Sequence, residues 1–315
     1  MPDFQQVHSD AWLRYFAGHG YPDVRPLATG VEGAVYRLGK GTVAKVWGRR
    51  RAPELVRMQR FYADVAAGGL PFDTPVILDV VEADGSAVTY ERELHGEPLH
   101  TVMASCADGI DERSGASVIS ILRAMAGVPA TSAMKALPVL DEEQPFWASG
   151  DFTAALGALL RRRVDRHGPV LRTRAPGFDD VFDRLLTRLQ GLDPVAPALI
   201  HGDLFGGNVL VDESGRVSAV LDFGFFSTAG DARFDAAVTA AIMDMYGPHA
   251  PAVTQALTHR ISAELGYPIE ILLVYQAAYA VASANFFTED GSDGHFSWCV
   301  EQLARKDVIE ALGLG

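Results

Sequence analysis

The first third of the chain alternates β-branched or aromatic positions with short glycine turns. Apolar positions bounded by Gly30, Gly33 and the Gly39-Lys40-Gly41 turn predict a hairpin that continues into a third strand at residues 42–47. Apolar side chains at helical spacing predict one helix over residues 53–67. A short helix and two further strands are predicted at residues 10–17, 75–82 and 87–93.

After residue 98 the strand pattern fades, and most apolar positions follow helical spacing. Helices are predicted at residues 117–125, 151–166, 178–189, 234–245, 251–264, 270–285 and 296–312. Two short apolar strands, each beside a polar motif, interrupt this series near residues 209 and 220. A β-rich first third before a helical remainder predicts two lobes, residues 1–93 and 94–315.

The composition is that of a folded globular protein, with 48% apolar and 21% charged residues among 315. A net charge of -13 argues against nucleic-acid binding, which requires a basic surface, and fits either a cationic substrate or a solvated acidic surface. Cys106 and Cys299 have no paired spacing, so neither disulfides nor zinc are indicated and a cytoplasmic setting is favoured. The N-terminus lacks a signal-peptide pattern, and the longest apolar stretch, residues 271–284, is too short to span a membrane.

Two polar motifs carry the chemistry. The first, residues 201–208, reads His-Gly-Asp-Leu-Phe-Gly-Gly-Asn, and the second places Asp222 after an apolar strand. An acid such as Asp203 to receive a hydroxyl proton, with the amide of Asn208 and the carboxylate of Asp222 to hold Mg²⁺, is what kinase-type phosphoryl transfer requires. The alternative, that Asp203 and Asn208 only form turns, is disfavoured by the placement of Asp222.

Lys45 lies at the centre of a predicted strand, twelve residues after Gly33. The segment Val43-Ala44-Lys45-Val46 is similar to the strand whose lysine binds nucleotide phosphates in kinases. A lysine on an exposed strand face is the alternative. Gly30 and Gly33 would let the backbone approach the phosphates. Together these residues predict an ATP-dependent kinase.

The order of these motifs resembles the aminoglycoside phosphotransferase family of small-molecule kinases. The resemblance rests on His201-Gly202-Asp203, where protein kinases have His-Arg-Asp, on Asn208 and Asp222, and on the segment Gly230–Asp235. It implies an α+β, protein-kinase-like bilobal fold. The N-terminal lobe would be small and β-rich with one main helix, and the C-terminal lobe larger and mostly helical.

The resemblance also implies a role for each motif residue. Asp203 would be the catalytic base, Asn208 and Asp222 would hold Mg²⁺, and Lys45 would bind the phosphates of ATP, or of GTP in its place. The supporting positions would be the backbone of Arg92 and Leu94 against adenine, His201 and Asp235 beneath the catalytic loop, and Asp231 as a helix cap.

One position departs from the family pattern. Members usually carry a glutamate on the main N-terminal helix that pairs with the lysine, whereas residues 57–62 contain none. Glu54, one turn earlier, is therefore the predicted partner of Lys45. If Glu54 does not reach Lys45, the lysine is held differently or the nucleotide site is weakened.

The family resemblance further implies that carboxylates of the C-terminal lobe hold a cationic substrate. The predicted set is Asp244 with Glu289, Asp290 and Asp293. An exposed polar loop between two helices is the alternative for the last three. The arginines at residues 161–166 are interpreted as a solvated helix face.

The sequence thus predicts an ATP- and Mg²⁺-dependent O-phosphotransferase that moves the γ-phosphoryl group to a small-molecule hydroxyl. The acceptor would be an antibiotic such as an aminoglycoside or macrolide, as in a resistance enzyme, or a metabolite such as homoserine, choline or an amino sugar. A protein kinase is disfavoured because no Ala-Pro-Glu follows Asp222. A catalytically silent nucleotide-binding module is the remaining alternative, supported by the missing helix glutamate.

Overall fold

The computed structural model describes residues 10–30, 32–106, 109–147 and 150–315, without the side chains of residues 105 and 106. The prediction about a signal peptide therefore concerns residues outside the described ranges, and so does the side chain of Cys106. The chain divides into two compact units. The first extends to Gly96 and includes Ser218–Leu221, and the second comprises Glu97–Val217 and Asp222–Gly315.

A five-stranded antiparallel sheet forms the first unit, in the order β1-β2-β3-β5-β4. Its strands are β1 (Arg25–Gly30), β2 (Gly33–Gly39), β3 (Thr42–Trp47), β4 (Ile77–Ala83) and β5 (Ser86–Arg92). Positive φ angles at Gly41 and Gly85 allow the tight turns between neighbouring strands. Lys45 of β3 lies opposite Val35 of β2 and Thr89 of β5, which places it at the centre of the sheet.

Two helices accompany this sheet, as predicted: α1 (Asp10–Gly18) and α2 (Ala52–Ala66). Trp12 and Phe16 of α1 pack in one core cluster with Tyr36 and Val88 of the sheet. Helix α2 buries its apolar stripe, which consists of Leu55, Met58, Phe61, Tyr62 and Val65. Helical periodicity in the sequence therefore predicted the buried face of α2 correctly.

The second unit is mostly helical, which confirms the predicted α+β class. Its helices are α3 (Leu99–Val102), α4 (Glu112–Ala126), α5 (Ser132–Lys135), α6 (Phe152–Arg174), α7 (Phe178–Gln190), α8 (Ala232–Ile242), α9 (Ala250–Leu265), α10 (Ile269–Ser283), α11 (Gly294–Ala304) and α12 (Lys306–Leu312). The short strands after Gly96 are β6 (Glu97–Pro98), β7 (Ser105–Cys106), β8 (Gly109–Ile110), β9 (Ala198–Ile200), β10 (Val209–Val211), β11 (Val217–Val220) and β12 (Thr228–Gly230). Of these, β11 belongs to the first unit from Ser218 onward.

Helix α10 lies in the core of the second unit, and every side chain from Leu272 to Ser283 is buried. The one polar amide among them, Gln276, donates from Nε2 to Thr258 Oγ1 at 3.1 Å, so its burial is compensated. The apolar run, which contains Gln276, thus marks a buried helix, as predicted. No helix within the described ranges is long and apolar enough to cross a membrane.

Two predictions about the helical part were wrong. The single helix predicted over residues 296–312 is interrupted at Arg305, where ψ is 134° and the backbone is extended between α11 and α12. The arginine-rich face of α6 is not uniformly solvated, because the side chain of Arg163 is only 2% exposed and pairs with Asp141. Helical spacing alone does not reveal that a distant acidic residue covers part of that face.

Candidate active site

The loop at residues 201–208 is held by contacts with the turn that follows Asp222. Ser227 Oγ donates a hydrogen bond to the carbonyl oxygen of His201 at 2.6 Å and accepts one from the backbone N–H of Gly224 at 2.8 Å. The fully buried ring of His201 packs against Phe223, with 4.3 Å between ring centroids. The structure therefore brings the two polar motifs of the sequence together within the second unit.

Asp235 supports this loop from helix α8. Its Oδ2 accepts a hydrogen bond from the N–H of His201 at 3.1 Å, and its Oδ1 accepts one from Gly202 at 2.8 Å. Burial raises the pKa of Asp235 to about 6, although both backbone hydrogen bonds act to lower it. Gly202 has a φ of +72°, and a Cβ there would lie 2.5 Å from Phe226 Cβ, so a glycine is required. Asp235 therefore braces the loop that carries Asp203.

Asp203 and Asn208 contact each other across this loop. Asn208 Nδ2 donates to the carbonyl oxygen of Asp203 at 2.9 Å and lies 3.5 Å from its Oδ2. The N–H of Asp203 donates to Nδ1 of His201 at 3.2 Å, which in the neutral ring places the proton on Nε2. Asn208 is buried whereas Asp203 is half-buried, so the carboxylate is held by a fixed backbone and stays accessible.

The donors at Asn208 and Asp222 suit a hard divalent cation. Because Nδ2 of Asn208 donates to Asp203, the amide oxygen Oδ1 is the atom that Asn208 can offer to a cation. The exposed side chain of Asp222 adds a carboxylate. Asp222 has a φ of +47°, a left-handed conformation that costs energy outside glycine and often marks functional positions. Within the described ranges, no group of three or more His, Cys, Asp or Glu side chains is arranged to hold a metal. One carboxylate and one amide nevertheless fit Mg²⁺, which takes its other ligands from phosphates and water.

Lys45 forms an ion pair in the first unit. Its Nζ donates to Glu32 Oε2 at 3.0 Å, whereas the sequence predicted Glu54, which lies in the first turn of α2. Gly33 lies opposite Trp47, so the backbone of Glu32 comes next to Gly48, and its side chain reaches back from the β1–β2 turn to Lys45. Glu32 is therefore a residue that the sequence analysis missed.

The two glycines of the β1–β2 turn differ in their surroundings. A Cβ on Gly33 would lie 2.0 Å from the carbonyl oxygen of Val46, so any side chain would displace the backbone of β3. A Cβ on Gly30 would meet no heavy atom within 4 Å. Close packing thus requires a glycine at residue 33, and space remains beside residue 30.

The segment predicted to contact adenine follows strand β5. The N–H of Arg92 donates to the carbonyl oxygen of Val76 at 3.0 Å, so that donor is already engaged. A backbone contact to adenine at Arg92 is therefore limited to its carbonyl oxygen. Leu94, the second predicted residue, is half-buried in the connection after the strand.

The acidic residues predicted to hold a cationic substrate divide into two groups. Asp293 caps α11 by accepting a backbone N–H at 2.8 Å, and Asp290 accepts the N–H of the residue two positions later at 3.1 Å. These two carboxylates therefore stabilise the loop between α10 and α11. Glu289 is exposed, and Asp244 is half-buried with its Oδ2 unpartnered among the described residues.

An aromatic group in the second unit was not identified from the sequence. Phe225 lies 4.5 Å from Phe286 and 6.4 Å from Tyr279, measured between ring centroids, and Tyr279 lies 6.3 Å from Trp298. Burial and the nearby charge of Asp203 raise the pKa of Tyr279 well above its usual value. The group therefore adjoins the catalytic loop. Aromatic residues so far apart in the chain have no spacing signal that would have shown this.

The comparisons with known proteins concern the family and the fold of the chain. A sequence model of the phosphotransferase enzyme family matches residues 23–267, and no curated protein matches the chain. Aminoglycoside 2'-phosphotransferase-IIIa in complex with GDP has a TM-score of 0.61 at 16% identity, over 96% of this chain and 99% of that one. Macrolide 2'-phosphotransferase type I has a TM-score of 0.59 at 20% identity, over 94% and 96%.

A third similar structure is an aminoglycoside phosphotransferase of Streptomyces rimosus in complex with ADP and streptomycin. Its TM-score is 0.57 at 16% identity, over 86% of this chain and 97% of that one. At these low identities the likeness concerns the fold. The fold is that of protein-kinase-like phosphotransferases, as the sequence predicted.

Proposed function

Because this chain belongs to the phosphotransferase enzyme family, we propose that it transfers the γ-phosphoryl group of ATP to a hydroxyl group of a small molecule, with Mg²⁺. The observation that carries the proposal is the contact between Asn208 and Asp203 on a loop that Asp235 braces. With these roles, the proton acceptor and the cation ligand would lie side by side on a supported backbone. Phosphoryl transfer relies mainly on such positioning and on charge stabilisation.

Asp203 is the proposed base. In the reaction the acceptor oxygen bonds to the γ-phosphorus, the bond between that phosphorus and the bridging oxygen breaks, and ADP leaves with that oxygen. The hydroxyl proton passes to a carboxylate oxygen of Asp203. The half-buried carboxylate of Asp203, whose Oδ2 lies 3.5 Å from Asn208 Nδ2, is the reactive group in this proposal.

Lys45, Asn208 and Asp222 are proposed to hold the nucleotide. The ammonium of Lys45 has three donors, so it can contact Glu32 and phosphate oxygens at the same time. Asn208 Oδ1 and the Asp222 carboxylate would hold Mg²⁺, which when bound neutralises charge on the phosphates. Gly30 and Gly33 would let the backbone approach the phosphates closely. Arg92 and Leu94 would contact adenine.

The acceptor is proposed to be an antibiotic of the kinds named for the similar structures, an aminoglycoside or a macrolide. Glu289 and Asp244 are the proposed contacts for a cationic group, because Asp290 and Asp293 already stabilise their own loop. A metabolic alcohol such as homoserine, choline or an amino sugar is the alternative acceptor. ATP as donor, or GTP in its place, would locate the reaction in the cytoplasm.

An acceptor panel tests this proposal. ADP or GDP release would be measured with Mg²⁺ and each nucleotide across aminoglycosides, macrolides, homoserine, choline and amino sugars, with Asp203→Asn as the blank. We expect one acceptor class to stimulate release and to yield a phosphorylated product in mass spectrometry. Nucleotide binding without turnover on any acceptor would instead favour a catalytically silent module.

A further inference from the structure

A cluster of three charged side chains occupies the turn between β1 and β2 and the end of β3. Glu32 Oε2 accepts from Lys45 Nζ at 3.0 Å, while its Oε1 accepts from Arg50 Nη2 at 2.8 Å and from Arg50 Nε at 3.3 Å. Each carboxylate oxygen therefore serves a different cation. The side chain of Lys45 is 12% exposed and that of Glu32 is 38% exposed, so the cluster borders solvent.

The backbone of Glu32 is held against β3 on its C-terminal side. Its carbonyl oxygen accepts a hydrogen bond from the N–H of Gly48 at 2.9 Å. The next residue, Gly33, lies opposite Trp47, so close to β3 that no Cβ fits. Glu32 is therefore tied to β3 through its own carbonyl oxygen and through the residue that follows it.

Lys45 is also oriented by an aromatic ring. Its Nζ lies 4.0 Å from the ring centroid of Trp47, a cation–π contact. The indole Nε1 of Trp47 donates to Thr89 Oγ1 at 2.9 Å, which fixes the ring. A long lysine side chain loses rotamer freedom when it binds a ligand, so a lysine that is already oriented loses less.

The cluster keeps a positive charge despite its carboxylate. Burial raises the pKa of Glu32, but the ammonium of Lys45 and the guanidinium of Arg50 outweigh that effect and lower it to about 2. Glu32 is therefore ionised near neutral pH, and one negative charge faces two cations. Phosphate oxygens can be attracted to Lys45 while Glu32 continues to hold it.

We infer that Glu32 is the positioning residue for Lys45, holding its ammonium where it binds the nucleotide phosphates. The inference rests on the proposed function, in which Lys45 binds those phosphates. It assigns to the β1–β2 turn the task that the sequence analysis gave to Glu54 of helix α2. Glu32 touches no reacting atom in this role and acts through Lys45.

Binding titrations with ATP, ADP and adenosine test this inference without requiring an acceptor. The proteins compared are the wild type, Glu32→Gln, Glu54→Gln, Lys45→Met and the double variant Glu32→Gln/Lys45→Met. Glutamine keeps the shape of glutamate and removes its charge, and thermal unfolding checks that each variant is folded. Adenosine has no phosphates, so its affinity reports on the rest of the nucleotide site.

We expect Glu32→Gln to weaken ATP binding about tenfold, which corresponds to the loss of one charge-assisted hydrogen bond. The adenosine affinity of Glu32→Gln should stay at the wild-type value. The Glu54→Gln variant should bind ATP as the wild type does. In the double variant, Glu32→Gln should cause no loss of ATP affinity beyond that caused by Lys45→Met. Unchanged or tighter ATP binding in Glu32→Gln, or a further loss in the double variant, would overturn the inference. Wild-type ATP affinity in Lys45→Met would instead contradict the proposed function itself.

Discussion

The amide nitrogen of Asn208 donates a hydrogen bond to the carbonyl oxygen of Asp203, 2.9 Å away. The contact ties the proposed cation ligand to the proposed base, so a shift of one residue displaces the other. The backbone of Asn208 is anchored as well, since its N–H donates to the carbonyl oxygen of Phe205 at 2.9 Å. One short loop therefore carries both residues to which these functions are proposed.

Replacing Asn208 by leucine should raise the Mg²⁺ concentration needed for half-maximal activity by at least about tenfold, because an oxygen ligand is lost at similar side-chain volume. Mg²⁺ titration of ADP release with the best acceptor measures this. Asn285→Leu is the matched control, since both asparagines are 5% exposed. Identical Mg²⁺ curves for the two variants would refute the assignment of Asn208.

Replacing Asp235 by alanine should lower the free energy of unfolding by about 2 kcal/mol or more, because two buried backbone N–H groups lose their acceptor. These groups belong to His201 and Gly202. Urea unfolding measures the change. A variant as stable as the wild type would show that Asp235 does not support the loop.

Asp235 should also make stability depend on pH. Its pKa in the folded protein, about 6, lies above the ordinary value of 3.8. A carboxyl group of this kind contributes stability that is fully present below about pH 4 and is lost as pH rises through 6. The unfolding free energy of the wild type minus that of Asp235→Asn should therefore fall between pH 4 and pH 7 in urea titrations. A difference in unfolding free energy that stays constant from pH 4 to pH 7 would contradict this prediction.

Thr239 lies on α8 like Asp235, but its substitution should not lower the stability of the fold. Its side chain is fully buried, and Oγ1 has no hydrogen-bond partner among the residues that the structure describes. Valine has the same shape without the hydroxyl, so Thr239→Val should be neutral or should stabilise the fold by up to about 1 kcal/mol. Urea unfolding decides the sign, and a clear loss of stability would mean that the hydroxyl is bonded.

Gly33 and Gly30 form a matched pair for the β1–β2 turn. Gly33→Ala should destabilise the first unit by roughly 1–3 kcal/mol, because its Cβ would overlap the backbone of β3. Gly30→Ala should leave stability unchanged, because a Cβ there has open space. Denaturant unfolding of both variants tests the difference, and equal stabilities would contradict the described packing.

Much of the fold is predictable because periodicity reports burial directly. The stripe of α2 and the apolar run of α10 each predict the face or segment that the structure buries. The motif residues Asp203 and Asn208, five apart in the sequence, also lie in contact on one loop, as their spacing suggests. In these cases the local pattern of residues in the sequence was sufficient for the prediction.

Contacts between distant residues were not predictable in the same way. Glu32 meets Lys45, 13 residues later, because its side chain reaches back from the β1–β2 turn along β3, a contact that no spacing rule along the chain shows. Arg163 is buried because Asp141 reaches it from another segment. Pairing between segments decides such contacts, and a single sequence does not contain that information explicitly.

The most direct test of the central claim is a comparison of the wild type with Asp203→Asn in two assays on the same preparations. Acceptor-dependent phosphoryl transfer should fall about 10²- to 10⁴-fold, the range for loss of a general base, while the Kd for ATP with Mg²⁺ stays at the wild-type value. Such a split would establish Asp203 as the base of a phosphotransferase. Undiminished transfer by Asp203→Asn would contradict that role.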